Sequence, residues 1–178
     1  MGHLCSHFKW IIFNIKLAKT NKQYPNSMSN LNQLLAEFEQ FIPLQHKTND
    51  LISKSSVGWQ IEHVLLTINK ISEAVKKSDP TKYKWQFKLP RLLVFSMNKI
   101  PRGRAKAPSI VTPETFDELS LKQHLSNTLI SLQELETLNQ KNYFQHPFFG
   151  NLKLKQTIKF LEIHTQHHLS IIKDIVKN

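Results

Sequence analysis

The chain has 178 residues and a mass of 20.8 kDa, enough for one domain with a buried core and too little for two full-sized ones. A hydrophobic fraction of 40%, a charged fraction of 21% and only 4 Gly exclude a disordered or fibrous chain. The 24 Lys and Arg against 13 acids leave +11 with the 9 His neutral, a balance that suits an anionic partner, while the single cysteine, Cys5, excludes a disulfide framework and any Cys-rich zinc module. A cytoplasmic setting follows from that cysteine usage, and any metal must be held by His and carboxylate.

In chain order, residues 1–27 carry no acid and place Lys9, Lys16, Lys19 and Lys22 around the short apolar run Trp10-Ile11-Ile12-Phe13. That run is too short to span a bilayer, and Asn14 and Lys16 interrupt it as a secretory signal. It reads as a flexible N-terminal extension, with a basic membrane-surface helix as the other reading, and the domain as residues 28–178. Ser29 or Asn30 caps a first helix with Leu31, Leu34, Leu35, Phe38 and Ile42 on one face, ended by Pro43. Ser55 or Ser56 caps a second, whose face holds Val57, Ile61, Val64, Leu65, Ile68, Ile71 and Val75 before Asp79-Pro80. A third starts at Thr112-Pro113 or at the box Thr115 to Glu118 and carries Leu125, Leu129, Leu132 and Leu135. Gly150 and Asn151 open the last helix. No strand pattern of convincing length is visible, so the fold class is all-α and four amphipathic helices predict a bundle.

Between helices two and three, the segment from Pro80 to Pro113 has no acid and eight cations, namely Lys82, Lys84, Lys88, Arg91, Lys99, Arg102, Arg104 and Lys106. Tyr83, Trp85, Phe87 and Phe95 are interleaved with them, so this long basic connection is expected to dock through its rings and turn its cations outward. Residues 92–95 suit a short helical turn.

On the last helix the ~3.6-residue turn puts Thr157, Phe160, Leu161, His164, His168, Ile171, Ile172 and Ile175 on one face. Lys155, Lys159, Glu162, Gln166, Lys173 and Lys177 fall opposite, and His167 lies at the edge. His164 and His168, one turn apart in an apolar stripe, fit either a satisfied pair of core histidines or two ligands of one metal ion. Trp59, His63 and Leu66 form a second stripe on helix two, so His63 can supply a third imidazole. Three His leave coordination positions open for water or substrate, as in a catalytic site.

The stretch Ser56-Val57-Gly58-Trp59-Gln60-Ile61-Glu62-His63, with His164-Thr165-Gln166-His167-His168 on a C-terminal helix, resembles the DinB superfamily from about Met28 onward. Lys84-Trp85, Ile100-Pro101-Arg102-Gly103-Arg104 and His146-Pro147-Phe148-Phe149-Gly150 resemble a bacterial branch of it known as a domain of unknown function. The resemblance implies an up-down-down-up four-helix bundle with His63, His164 and His168 on a divalent ion such as zinc, nickel or iron. It also implies thiol-dependent transferase or related isomerase or hydrolase chemistry on a small molecule, with the ion lowering the pKa of a low-molecular-weight thiol.

In that reading Arg102 and Arg104 attract the carboxylates of an anionic thiol and His146 joins the substrate side, although solvated loop cations and loop packing before Pro147 account for the same residues. The alternative is a non-enzymatic bundle or binding protein with a vestigial metal site, which dimerises or binds a partner or, weakly, nucleic acid. Nucleic acid is not expected, because no recognition motif is present and +11 less the four leader lysines leaves +7 spread over many faces.

Overall fold

The structure is a computed structural model that describes residues 26–103 and 107–177. The expected extension, apart from its last two positions, and Arg104 lie outside the described residues. Four long helices dominate: α1 (Asn26–Phe41), α2 (Val57–Lys77), α4 (Glu118–Leu135) and α5 (Leu154–Lys177); a short helix, α3 (Leu89–Met97), lies between α2 and α4. α1 lies along α5, α5 packs on α2, α2 packs on α4, and α4 returns to α1, so the four enclose one core. Leu31, Leu35 and Phe38 share this core with Ile61, Leu65 and Ile68 of α2, Leu121 and Leu132 of α4, and Leu161 and Ile172 of α5. Apart from Leu121, these belong to the apolar stripes expected from the sequence, and their burial, not propensity, holds the helices in place.

The helix boundaries have local causes. Ser56 caps α2 by accepting from the Trp59 amide (3.3 Å). α1 starts at Asn26, ahead of the expected Ser29 or Asn30, and Met28 is part of the core. It tightens into a 3-10 turn around Pro43. α4 starts at Glu118 instead of near Thr112 or Thr115, because the Asp117 carboxylate accepts from the Ser120 amide (2.7 Å) while the Ser120 hydroxyl accepts from the Asp117 amide (2.8 Å). Gly58 admits the Phe116 ring against α2, where a Cβ would also meet the Gln45 Cβ at 2.9 Å.

A strand pair corrects the reading of a wholly helical chain. β1 (Tyr143–His146) and β2 (Gly150–Lys153) form an antiparallel hairpin, with His146 opposite Gly150. Gly150 takes φ 68, the left-handed conformation that closes a three-residue hairpin loop. Gly150 and Asn151 therefore belong to a strand, and α5 begins only at Leu154, whose amide donates to the Asn142 carbonyl (2.8 Å).

The basic connection departs further from expectation. Its helical turn is a nine-residue helix, ended by Asn98 in the left-handed conformation (φ 51). Tyr83 and Phe95 do dock, edge-on to Tyr143 (5.6 Å) and Phe149 (6.3 Å). Trp85 and Phe87 do not; they are 66% and 62% exposed, whereas Arg91 is only 8% exposed. The guanidinium is drawn in because it donates to the Gln86 and Asn151 carbonyls, which an aromatic ring cannot satisfy. Among the described residues no helix is long and apolar enough to cross a membrane.

Candidate metal centre

Where α2 crosses α5, His63, His164 and His168 converge. One ligand nitrogen of each lies within 4.8 Å of the other two. Ring centroids are 5.2 Å apart for His63 and His164, 4.7 Å for His63 and His168, and 4.6 Å for His164 and His168. The i, i+4 spacing on α5 stacks two of the rings on one face, and the second stripe of α2 turns the third toward them.

The hydrogen bonds behind these rings fix their tautomers. His63 Nδ1–H donates to the Val111 carbonyl (2.7 Å), an oxygen that can only accept, so a neutral His63 carries its lone pair on Nε2. His168 Nδ1–H donates to Gln60 Oε1 (2.6 Å). The Gln60 amide is oriented in turn by its Nε2, which donates to Ser53 Oγ (3.2 Å), while that hydroxyl oxygen also accepts from the Ser55 amide (3.1 Å). His168 Nε2 is therefore a second available lone pair. His164 is half-buried, yet its Nδ1 is sealed from solvent with no hydrogen-bond partner among the described residues.

Burial also keeps the cluster uncharged. Desolvation pushes His63 down, opposed by its bond to the Val111 carbonyl. It pushes His164 and His168 well below the ordinary histidine value, and repulsion from neighbouring imidazoles adds to this. Neutral imidazoles with two aimed lone pairs and an orphaned buried nitrogen fit the donor set of a divalent ion. Three ligands from two helices also leave room for a further ligand.

The walls are aromatic. Trp59 stacks on His63 (5.0 Å, 11°), and Phe160 lies against His164 (5.7 Å). His146 reaches the other side of Phe160 at 4.8 Å and stacks on Phe149 at 4.2 Å. Its Nδ1 accepts from the Phe148 and Phe149 amides (3.1 and 3.2 Å), so it closes the hairpin loop and carries its proton on Nε2. Desolvation lowers its pKa to about 4. Arg102 pairs with Asp174 (2.8 Å) and donates to Ser170 Oγ (2.9 Å), one turn beyond His167 on α5. His167 is half-buried and edge-on to His168 at 5.0 Å; burial and the nearby Arg102 charge lower its pKa against its bond to the Ile100 backbone. Glu162, expected on the wet face, is buried, because Asn30 and Lys159 both donate to its carboxylate (3.2 and 3.0 Å).

Sequence reasoning missed Gln60 and the Val111 carbonyl. Gln60 had a signal, since it stands one turn before His63 and next to Ile61 on a helix whose inward side is mostly apolar. Val111 had none, because its contribution is backbone geometry from a distant loop. A further histidine, His124 on α4, is engaged elsewhere: Asn69 donates to its Nε2 (2.9 Å), and its Nδ1–H donates to the Glu62 carboxylate (2.9 Å). Comparison with protein-family models, curated proteins and solved structures finds no match.

Proposed function

We propose that the chain is a cytoplasmic metal-dependent enzyme of the DinB type, acting on a small molecule, with a low-molecular-weight thiol as cosubstrate. The observation that carries the proposal is the pair of hydrogen bonds from His63 and His168 Nδ1, which leave the lone pair of each ring on Nε2 in a cluster whose third member, His164, has a buried Nδ1 without a partner among the described residues. A core pair of histidines satisfied by their surroundings would have no such vacancy. The two helices that bear His63, His164 and His168, packed with α1 and α4 around one core, and the resemblance of these residues to the DinB pattern support the same reading.

A divalent ion held by this set would act as a Lewis acid that lowers the pKa of a thiol or water reaching its open position. The chain's own residues would do the rest. Val111 and Gln60 hold the ligand rings in orientation, so no reorganisation is needed when charge develops. Trp59 and Phe160 exclude water from two sides of the cluster. Arg102 lies close enough to His167 on α5 for its charge to act on that ring, and its pairing with Asp174 would have to be exchanged for a substrate carboxylate.

The experiment is a transferase assay on untagged protein loaded with zinc, nickel or iron, using bacillithiol, mycothiol and glutathione against a panel of electrophiles. Turnover with one thiol that disappears in His63→Ala and His168→Ala is the expected result. Stoichiometric metal without turnover of any pair would overturn the thiol assignment and leave the metal site standing.

A further inference from the structure

The segment that failed to dock its rings presents a surface of its own. Within α3, Leu89, Leu92, Leu93 and Met97 follow helical spacing on one face, each 52–58% exposed. The opposite face is the one that packs: Arg91 and Val94 are buried, and Phe95 meets Phe149. Trp85 and Phe87 extend the apolar surface ahead of the helix, their rings 6.5 Å apart. The helix is therefore amphipathic with its aliphatic side outward, the reverse of α1, α2, α4 and α5.

We propose that this face is a docking surface for an anionic lipid bilayer. Lys84 and Lys88 precede the apolar stripe and Lys99 follows it, and none of the three forms an ion pair among the described residues. No acid occurs from Pro80 to Pro113, so nothing in the segment repels a negative surface. Lysines bracketing exposed leucines, a Trp and a Phe match what an interfacial segment needs: apolar atoms in the acyl boundary and ammonium groups among the headgroups. The short length of α3 suits surface insertion and forbids spanning.

Charge separates this occupant from two others. A second copy of the chain, face to face, would bring the same cations together with no compensating acid from the segment. Nucleic acid would satisfy the lysines and stack on Trp85 and Phe87, but gives four exposed aliphatic side chains nothing to bury against. The patch is tied to the hairpin at two points: Arg91 donates to the Asn151 carbonyl (3.3 Å) and Asn151 Nδ2 donates to the Lys84 carbonyl (2.9 Å). The proposal does not depend on the metal reading.

The test is co-sedimentation of the full chain with vesicles of phosphatidylcholine alone and of phosphatidylcholine mixed with phosphatidylglycerol. Binding is expected to the anionic vesicles only. The double variant Leu92→Glu/Leu93→Glu should weaken it by roughly tenfold or more. Lys84→Glu/Lys88→Glu, at two exposed positions, should weaken it by about fivefold or more per charge removed. Unchanged circular dichroism and unfolding curves confirm that both variants fold; should the leucine variant not fold, the lysine variant alone decides. Absence of binding to anionic vesicles overturns the proposal. So does equal binding by the variants, which would place the contact elsewhere, as within residues 1–25. Binding to an oligonucleotide in place of vesicles, or a dimer that dissociates on Leu92→Glu/Leu93→Glu, would assign the face to those partners instead.

Discussion

The α2–α5 crossing and the segment from Pro80 to Pro113 sort their side chains differently, although both bury some apolar ones, Val94 and Val111 in the segment. At the crossing, apolar stripes face inward and the polar groups among them are neutral imidazoles held by hydrogen bonds. In the segment, a guanidinium faces inward and leucines face out. The difference teaches that a long helix is placed by its apolar area, whereas a short irregular connection is placed by whichever group can satisfy its backbone carbonyls. At Arg91 that requirement outweighs the burial of Trp85 and Phe87.

The largest expected effect tests this contrast directly. Leu161→Ala, at a fully buried site of α5, should destabilise by about 2–5 kcal/mol. Leu93→Ala, on the exposed face of α3, should change stability by less than about 0.5 kcal/mol. Urea unfolding of the two variants reads both values, and comparable losses would break the comparison.

Acid should then weaken the crossing. His63, His164, His168 and His146 have folded pKa values below the ordinary 6.5, so in the window beneath 6.5 the unfolded chain takes up protons that the folded chain refuses. Their full contribution to the stability of metal-free protein is present above 6.5. It is lost as the pH falls, for His146 down to about 4. The slope should reach up to about 1.4 kcal/mol per pH unit for each histidine, measured from urea midpoints across that range. A flat profile would mean the rings are better solvated than their surroundings imply.

Arg91→Ala should cost about 1–3 kcal/mol by leaving the Gln86 and Asn151 carbonyls without their donor. Amide exchange should speed up in residues 84–97 and in β2, and stay unchanged in α2. A smaller effect is expected behind the ligands: Gln60→Leu removes the acceptor from His168 Nδ1 and should weaken metal affinity by about 10–100-fold while the fold persists. Calorimetric titration with zinc would measure it.

The same contrast explains what could be read in the sequence. The stripes Leu31 to Ile42 and Val57 to Val75 repeat often enough to place α1 and α2, and His164 and His168 stood out because they interrupt such a stripe. The hairpin escaped because four residues per strand are too few for alternation to register, leaving only Pro147 and Gly150 as punctuation. Helical phase alone puts Glu162 on the wet face, yet Asn30 on α1, 132 positions away, brings it inside. Contacts of that kind, like the Val111 carbonyl on His63, depend on tertiary proximity and leave no local pattern.

Metal content tests the central claim most directly. Untagged protein, exchanged into zinc, nickel and iron in turn and freed of loose ions, should retain about one equivalent of a divalent ion by mass spectrometry of the metal. His63→Ala, His164→Ala and His168→Ala should each lose it while keeping their helical content. Retention by all three variants, or no retention by the parent protein after reconstitution, would contradict a metal centre at the α2–α5 crossing.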